Sequence, residues 1–285
     1  MSHFYLQVWD RPYLTPSIAR ILHERTPLHA KLECPYYVRE REPETTKMTE
    51  GAVVDALVFG TQPDVVVLDF DSFRTKEAKE ARDALLEARQ PYLLREAYER
   101  CAEAADRLTR GAVEADPMIE VALRNGVIRQ RRFWEELVPS AANADTFFRL
   151  PLSCEPDIDL PQYDAVLDLK RTAAIPTEGG WRRQVSRMNY HLQVAATLEA
   201  TGRSHFAWLV VEANEPHCAV VHWASDEFIE VAKRDWRAAK ETWARCVETG
   251  NFPGYEGGTI DPMPWQLEPE DQLVFDEDES EEEAA

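Results

Sequence analysis

The interpretation of this chain starts from residues 154–170, which have the sequence CEPDIDLPQYDAVLDLK. A run of alternating apolar residues ends at Asp157, and after a short turn residues 165–170 are typical of a second, short strand. Successive side chains of a strand point to opposite faces. We therefore expect Asp168 and Lys170 on one face of this strand and the leucines beside them on the other.

A hairpin formed by these two segments would place Asp157 beside Asp168, with Lys170 one pleat further along. Two carboxylates suit a divalent cation that prefers hard oxygen ligands, and a neighbouring lysine can steady a nucleophilic water. A surface hairpin with scattered charges would have the same short pattern, because Asp-x-Lys is common. The rest of the chain has to decide between these two interpretations.

The charge of the chain is unevenly distributed. Its 285 residues have a formal net charge of −20. Residues 268–285 hold ten aspartates and glutamates and no lysine or arginine, so they carry half of that charge. This composition predicts a disordered acidic tail. The remaining body is acidic as well, so any contact with DNA has to come from a local basic cluster and not from the overall field.

The composition also excludes several classes of protein. No stretch approaches the roughly 18 consecutive apolar residues that a membrane helix needs. The first residues lack a basic region followed by an apolar one, so we expect no secretory signal and a cytoplasmic location. Five cysteines, at positions 34, 101, 154, 218 and 246, form no CxxC pair. That pattern indicates buried thiols in a reducing cytosol, and not a disulfide framework or a cysteine metal site.

The order of predicted elements is typical of an α/β fold. Two short helices are followed by a strand and by a long charged helical region at about 75–108, broken near Pro91. Three strands, a helix, two strands and a final helix at 226–249 complete the chain. The length allows one large domain. We expect a mixed β-sheet with helices on both of its faces.

Two predicted helices carry polar residues of interest. The helix at 51–59 is apolar except at Asp55, and a carboxylate there is costly to bury without a partner. A single helix is predicted from about 181 to 201. Its polar, basic and aromatic residues follow three- and four-residue spacing: Arg183, Arg187, Tyr190, Gln193 and Thr197. That stripe is either an exposed face or the lining of a groove for a phosphate backbone.

Several of these segments together resemble the exonuclease VIII (RecE-like) branch of the PD-(D/E)xK nucleases, which are relatives of lambda exonuclease. The matching segments follow the family's order: Leu14-Thr15-Pro16-Ser17, Thr26 to Lys31, Gly51 with Asp55, Phe73 to Lys76, Pro156-Asp157 with Asp168-Leu169-Lys170, Tyr190-His191-Leu192-Gln193, and Asn251 to Tyr255. The resemblance implies a restriction-endonuclease-like core in a single domain at 1–267, with a helical insertion at about 74–118.

The resemblance also implies an activity and a metal. The chain would be a metal-dependent exonuclease that degrades linear double-stranded DNA from its ends in a recombination setting. One or two Mg²⁺ ions, with Mn²⁺ as a substitute, would be held by the carboxylates of Asp55, Asp157 and Asp168 and by the Leu169 carbonyl. The metal would lower the pKa of a bound water and offset charge on the scissile phosphate.

Further residues and partners are expected around that centre. Lys170 would orient the water and stabilise developing negative charge, with support from Gln193 and Tyr190. For the DNA backbone we predict contacts from three arginines: Arg171, Arg183 and Arg187. Because relatives form rings, a ring or other homo-oligomer is implied, together with a single-strand annealing protein as a partner.

Two departures from the family pattern support a second hypothesis. Asp55 stands where the family has histidine or glutamate, and Glu155 adds negative charge near the site. A catalytically weakened or inactive nuclease-fold protein, whose acidic tail engages a basic partner, is the alternative. The retained Asp157, Asp168 and Lys170 favour an active enzyme, because a decayed site has no physical reason to keep carboxylates adjacent. The cysteine spacing disfavours an iron–sulfur nuclease of the same superfamily.

Overall fold

The computed structural model describes residues 12–38, 46–115, 117–143 and 145–257. The chain divides into two compact units, Met1–Pro253 and Gly254–Ala285. Of the second unit only residues 254–257 are described, so the predicted acidic tail at 268–285 lies outside the described residues. All helices and strands given below belong to the first unit.

The helices in chain order are α1 (Pro16–Glu24), α2 (Pro27–Glu33), α3 (Thr46–Val58), α4 (Lys76–Glu87), α5 (Arg95–Ala115), α6 (Pro117–Asn125), α7 (Glu178–Arg187), α8 (Tyr190–Thr201) and α9 (Asp226–Thr249). The strands are β1 (Val66–Leu68), β2 (Tyr92–Leu94), β3 (Val127–Ile128), β4 (Arg132–Pro139), β5 (Phe147–Cys154), β6 (Ile158–Leu160), β7 (Ala165–Thr172), β8 (His205–Glu212) and β9 (Ala219–Trp223). Among the described helices, none is both long enough and apolar enough to cross a membrane.

A five-stranded mixed sheet in the order β3-β6-β7-β8-β9 forms the centre of the unit. β7 and β8 are parallel, and the other neighbouring pairs are antiparallel. Two smaller sheets are a parallel β1–β2 pair and an antiparallel β4–β5 pair. Separate groups of helices pack on the two faces of the central sheet. The predicted α/β class, with a mixed sheet flanked by helices, is confirmed.

The two faces of β7 belong to different clusters of apolar side chains. Leu167 and Leu169 pack with residues of α3 and α5, whereas Val166 packs with residues of α7 and α8. Asp168 and Lys170 lie two and four positions after Val166, so they share its face. The predicted alternation of this strand is confirmed, and it directs both charged side chains towards α8.

The single helix predicted over 181–201 is wrong, because the chain forms two helices there. α7 ends at Arg187 and α8 begins at Tyr190, and Asn189 between them has a left-handed backbone with φ 49°. A helix needs a negative φ at every residue, and asparagine is one of the residues that tolerate a positive φ best. Sequence periodicity also missed β2 and β6, since each strand has only three residues.

The predicted insertion at 74–118 contains α4, β2, α5 and the start of α6. The apolar face of α5 contributes Ala97, Cys101 and Leu108 to the cluster that covers one side of the central sheet. This helix therefore forms part of the main core. Four of the five cysteines are buried, Cys218 is exposed, and all five are free thiols.

α8 is held between the sheet and two other helices. A second apolar cluster joins α1, α8 and α9 to β4 and β5 and contains the buried indoles of Trp236 and Trp243. Lys240 of α9 is 4% exposed, and its ammonium donates to Glu136 and, at 2.7 Å, to Glu199 Oε2. A buried ammonium needs such partners because its desolvation is costly.

Asp159 of β6 offers a test of how charge is accommodated in the sheet. Its carboxylate is 2% exposed and accepts hydrogen bonds from Arg132 Nη2 at 3.1 Å and Arg203 Nε at 2.8 Å. Asp159→Asn leaves both guanidinium groups without this counter-charge. We expect the free energy of unfolding to fall by about 2 kcal/mol, measured from the midpoint of urea unfolding.

Glu230→Gln is the matched control for that experiment. Glu230 forms a largely exposed ion pair with Lys233 at 2.7 Å. Exposed pairs contribute little, so its midpoint should change by less than the equivalent of about 0.5 kcal/mol. Equal midpoints for the wild type and Asp159→Asn would show that the buried ion pairs of Asp159 do not stabilise the fold.

Candidate active site

Asp157 lies directly before the first residue of β6. Register pairs Ile158 with Leu167, so continuing it by one residue places Asp157 opposite Asp168. Strand β6 goes no further, and the backbone N–H of Leu169 donates instead to Asp157 Oδ2 at 2.8 Å. The side chain of Asp157 therefore supplies the acceptor that a longer strand would have supplied, and this contact holds it beside Asp168.

Asp168 lies beneath α8 and is 2% exposed. Gln193 Nε2 donates to its Oδ1 at 2.5 Å, and its Oδ2 forms an ion pair with the Lys170 ammonium. Lys170 Nζ also donates to the Leu169 carbonyl at 3.3 Å and lies 5.3 Å from the centre of the Tyr190 ring. The structure thus brings together Asp157, Asp168, Lys170 and the two predicted residues of α8.

The protonation of this group is shifted by burial and by its neighbours. Burial raises the pKa of Asp168; Lys170 opposes that rise and Asp157 adds to it. Burial alone would lower the pKa of Lys170, but Asp168 and Asp157 outweigh that effect and raise it. Lys170 is therefore a firmly charged ammonium that offsets part of the negative charge of the two carboxylates.

Asp55 approaches the same place from α3. Its side chain is 23% exposed, and its Oδ2 lies 3.5 Å from Arg129 Nη1. Burial raises the pKa of Asp55 to about 7; Asp157 adds to the rise, and Arg129 and Lys170 oppose it. The electrostatic influence of Asp157 and Lys170 shows that Asp55 belongs to this cluster of charged groups.

Arg129 is the residue of this site that sequence reasoning missed. It follows β3, has a left-handed backbone with φ 45°, and donates its backbone N–H to the Asp157 carbonyl at 3.0 Å. Its guanidinium pairs with Asp55 and, through Nε at 3.3 Å, with Glu155. Arg131 also pairs with Glu155, at 2.9 Å. The available signal was the run of arginines at 129, 131 and 132, inside a segment predicted as an ordinary strand.

The three arginines predicted to contact DNA occupy different environments. Arg171 is 11% exposed, pairs with Glu50 at 2.6 Å and donates to the Ala213 carbonyl at 2.9 Å. It projects to the face of β7 opposite Lys170. Arg183 and Arg187 are exposed on α7, and Arg187 Nη2 donates to Gln184 Oε1 at 2.6 Å. Their contact with DNA stays a prediction.

The donor atoms of the site fit a hard divalent cation. They are carboxylate oxygens of Asp55, Asp157 and Asp168 and the Leu169 carbonyl, which are the ligand types that Mg²⁺ prefers. Asp168 Oδ2 is buried, and the Lys170 ammonium pairs with it. Among the described residues these three carboxylates do not form a group with all ligand atoms within 4.8 Å, so an ion shared by all three would draw them closer.

Two solved structures are similar to this chain. A candidate exonuclease from Eubacterium rectale superposes with a TM-score of 0.55 at 14% identity, over 87% of this chain and 85% of that chain. The two proteins share one fold. A phage-related exonuclease from Haemophilus somnus 129PT is 12% identical over 70% of this chain and 95% of its own, with a TM-score of 0.34. No family model and no curated protein matches the sequence.

The raised pKa of Asp55 predicts how stability depends on pH. Between about pH 4 and pH 7 the folded state binds more protons than the unfolded chain, so the stability of the metal-free protein falls as the pH rises. Asp55→Asn removes the part of this dependence that comes from Asp55. We expect the variant to match the wild type near pH 4 and to exceed it by about 2 kcal/mol near pH 8, measured by urea unfolding with a chelator present.

Asp69→Asn is the control for the sign of that effect. A hydrogen bond from Arg95 lowers the pKa of Asp69, so this exposed carboxylate should give no gain in stability near pH 8.

Added Mg²⁺ or Mn²⁺ should raise the melting temperature of the wild type at pH 8, and Asp55→Asn should blunt that rise. A wild-type melting temperature unaffected by millimolar metal would contradict a metal site at these residues.

Proposed function

We propose that this protein is a metal-dependent exodeoxyribonuclease that degrades linear double-stranded DNA from its ends. The observation that carries the proposal is the meeting of Asp157, Asp168 and Lys170 on one face of the sheet, with Gln193 and Tyr190 of α8 against them. Two neighbouring carboxylates beside an ammonium suit metal-assisted hydrolysis of a phosphodiester. The fold shared with a candidate exonuclease supports the same class of reaction.

A bound Mg²⁺ would acidify a water and would offset charge on the scissile phosphate. Asp55, Asp157, Asp168 and the Leu169 carbonyl would hold it. The Lys170 ammonium contacts both Asp168 Oδ2 and Leu169 O, so it lies beside two of the oxygens that would hold the metal. A positive charge at this place can orient a water and stabilise negative charge as it develops.

Gln193 and Tyr190 position the reacting groups from α8. The Gln193 amide occupies Asp168 Oδ1 at 2.5 Å, which directs Oδ2 of the same carboxylate towards the site. The Tyr190 ring packs against the Lys170 ammonium, so it limits the directions in which the lysine side chain can move. Both contacts fix orientation before the substrate arrives, which is the main contribution a protein makes to this kind of catalysis.

The hypothesis of an inactive binding protein is weakened by the surroundings of Glu155. Its carboxylate was expected to add negative charge near the site, and it pairs with Arg129 and Arg131. Arg129 also faces Asp55, so both departures from the family pattern share one compensating guanidinium. Arg129 is 44% exposed on its side chain and keeps donors for a phosphate oxygen of the substrate.

The biological setting of the proposal follows the same resemblance. A recombination exonuclease acts at duplex ends, and a ring or other homo-oligomer that encloses the duplex would keep it on one molecule through many cycles. A single-strand annealing protein would then receive the product strand. Analytical ultracentrifugation with and without duplex DNA measures the oligomer.

Substitution of the central residues tests the chemistry. Asp168 is buried, so conservative substitutions are needed to keep the fold. Asp168→Asn and Lys170→Gln should each lower the rate of Mg²⁺-dependent degradation of linear duplex at least about a hundredfold. Covalently closed circular duplex of the same sequence should resist the wild type, because it has no ends.

Two exposed residues provide matched controls for those variants. Asp69→Asn and Lys233→Gln change the same chemical groups outside the site and should keep the wild-type rate. Circular dichroism and the melting temperature verify that all four variants are folded. Wild-type rates in folded Asp168→Asn and Lys170→Gln would exclude these residues from the chemistry, and rapid cleavage of the closed circle would exclude an exonuclease.

The acidic tail separates the two functional hypotheses. Residues 268–285 carry ten acidic groups and no basic one. In a nuclease they should compete with DNA for the basic groups of the protein. Truncation after Leu267 should tighten duplex binding, and most strongly at low ionic strength, because exposed charges are screened over about 8–10 Å at physiological salt. In the inactive binding protein, the same truncation should abolish binding to the basic partner and reveal no nuclease activity.

A further inference from the structure

A second cluster of possible ligands lies where α1, α8 and α9 meet. His23 is in the last turn of α1 and is exposed, His191 is in the first turn of α8 and is buried, and Asp235 of α9 is half-buried. One ligand atom from each of these three residues lies within 4.8 Å of the other two. Within the described part of the chain, no other three histidine, cysteine or acidic side chains are grouped so closely.

One distance within this cluster matches that of a metal site. His191 Nε2 lies 3.3 Å from Asp235 Oδ2. Tetrahedral zinc with ligands at about 2.0–2.1 Å has ligand atoms about 3.3–3.4 Å apart, so this pair already has the required separation. The ring centroids of His23 and His191 are 5.2 Å apart. His23 lies at the surface, where rotation of its side chain can bring its nitrogen to the same point.

The buried Nε2 of His191 lies 3.3 Å from Asp235 Oδ2, outside the geometry of a regular hydrogen bond. The residue is 9% exposed, and Nε2 makes no hydrogen bond of acceptable geometry, although it faces Asp235. A buried polar atom without a hydrogen bond is costly and calls for an explanation. Burial, and then the neighbouring His23, lower the pKa of His191, and Asp235 opposes that shift. The neutral imidazole is the form that binds a metal.

Asp235 is already oriented for such a role. Arg234 Nε donates to its Oδ1 at 2.8 Å, which leaves Oδ2 directed towards His191. A hydrogen bond of this kind to the outer oxygen of a ligating carboxylate is a usual support of metal sites. On the α1 side, Asn189 Nδ2 donates to Glu24 Oε1 at 3.0 Å, so the end of α1 that carries His23 is tied to the start of α8.

We propose that His23, His191 and Asp235 bind one divalent transition-metal ion, of which Zn²⁺ is the best fit, with water as the fourth ligand on the exposed side. Two imidazole nitrogens and one carboxylate oxygen suit zinc and other borderline metals, whereas Mg²⁺ prefers oxygen ligands alone. The ion ties three helices together, and one of them is the helix that carries Tyr190 and Gln193. This proposal does not depend on the nuclease activity.

The site is separate from the carboxylate centre although both involve α8. Tyr190 and Gln193 are three positions apart and share the face that meets β7. His191 lies about 100° around the helix from Tyr190 and about 160° from Gln193, on the side that packs against α1 and α9. A metal bound there would contact no residue of the proposed catalytic group.

Zinc binding by the untagged full-length protein tests the proposal. The protein is equilibrated with micromolar Zn²⁺ in the presence of millimolar Mg²⁺, which occupies oxygen-ligand sites, and the affinity is measured by competition with a chromophoric chelator. We expect one zinc per chain and a higher melting temperature. His23→Gln and Asp235→Asn should each weaken binding about tenfold or more and lose the thermal shift.

Control variants and Co²⁺ substitution identify the ligands. His205→Gln and Glu230→Gln alter exposed residues outside the cluster and should bind zinc as the wild type does. Bound Co²⁺ should give visible absorption without the near-ultraviolet band of a cobalt–thiolate bond. The proposal is overturned if the wild type retains no zinc, if His23→Gln and Asp235→Asn bind it with unchanged affinity, or if a thiolate band appears that Cys218→Ser abolishes.

Discussion

The hydrogen bond from the Leu169 N–H to Asp157 Oδ2 is the contact on which the candidate active site depends. Strand β6 has only three residues, so its backbone cannot pair with the last residues of β7. A carboxylate at the strand end replaces the missing carbonyl, and its second oxygen remains for another partner. One side chain therefore ends the pairing of two strands and also fixes the distance between two acidic groups. Asparagine could accept the same hydrogen bond, but it would not supply the negative charge.

Basic side chains offset part of the negative charge around this contact. Asp168 is paired with Lys170, and Arg129 bridges Asp55 and Glu155. Such pairing lets an acidic protein keep carboxylates adjacent, because an unpaired buried charge would cost several kcal/mol. A metal held by Asp168 would have to displace the Lys170 ammonium that now pairs with it. The negative charge of the group also depends on pH, because burial raises the pKa of Asp55 to about 7.

The two-residue period of β7 predicted the common face of Asp168 and Lys170. Asp157 was predicted beside Asp168, but the strand was wrong: the apolar run before Asp157 is β5, which pairs with β4, and residues 158–160 form the strand beside β7. Arg129 could not be found from local pattern, since its position depends on β3 lying beside β6, a pairing between segments about thirty residues apart. The break at Asn189 was missed because residues on both sides of it have helical periodicity, and a single positive φ leaves no trace in that period.

Helix α8 would link the candidate active site to the proposed zinc site. Its Tyr190–Gln193 face rests on charged groups of β7, and its His191 face is in contact with α1 and α9. A shift of this helix that brought His191 closer to Asp235 would also move Gln193 relative to Asp168, where a hydrogen bond of 2.5 Å leaves little room for displacement. His191 and Gln193 lie within one helical turn, so a rigid helix moves them together. An ion at the three-helix junction would thus restrict the motion of the residues that orient Asp168 and Lys170, and it would do so without entering the chemistry at the carboxylates.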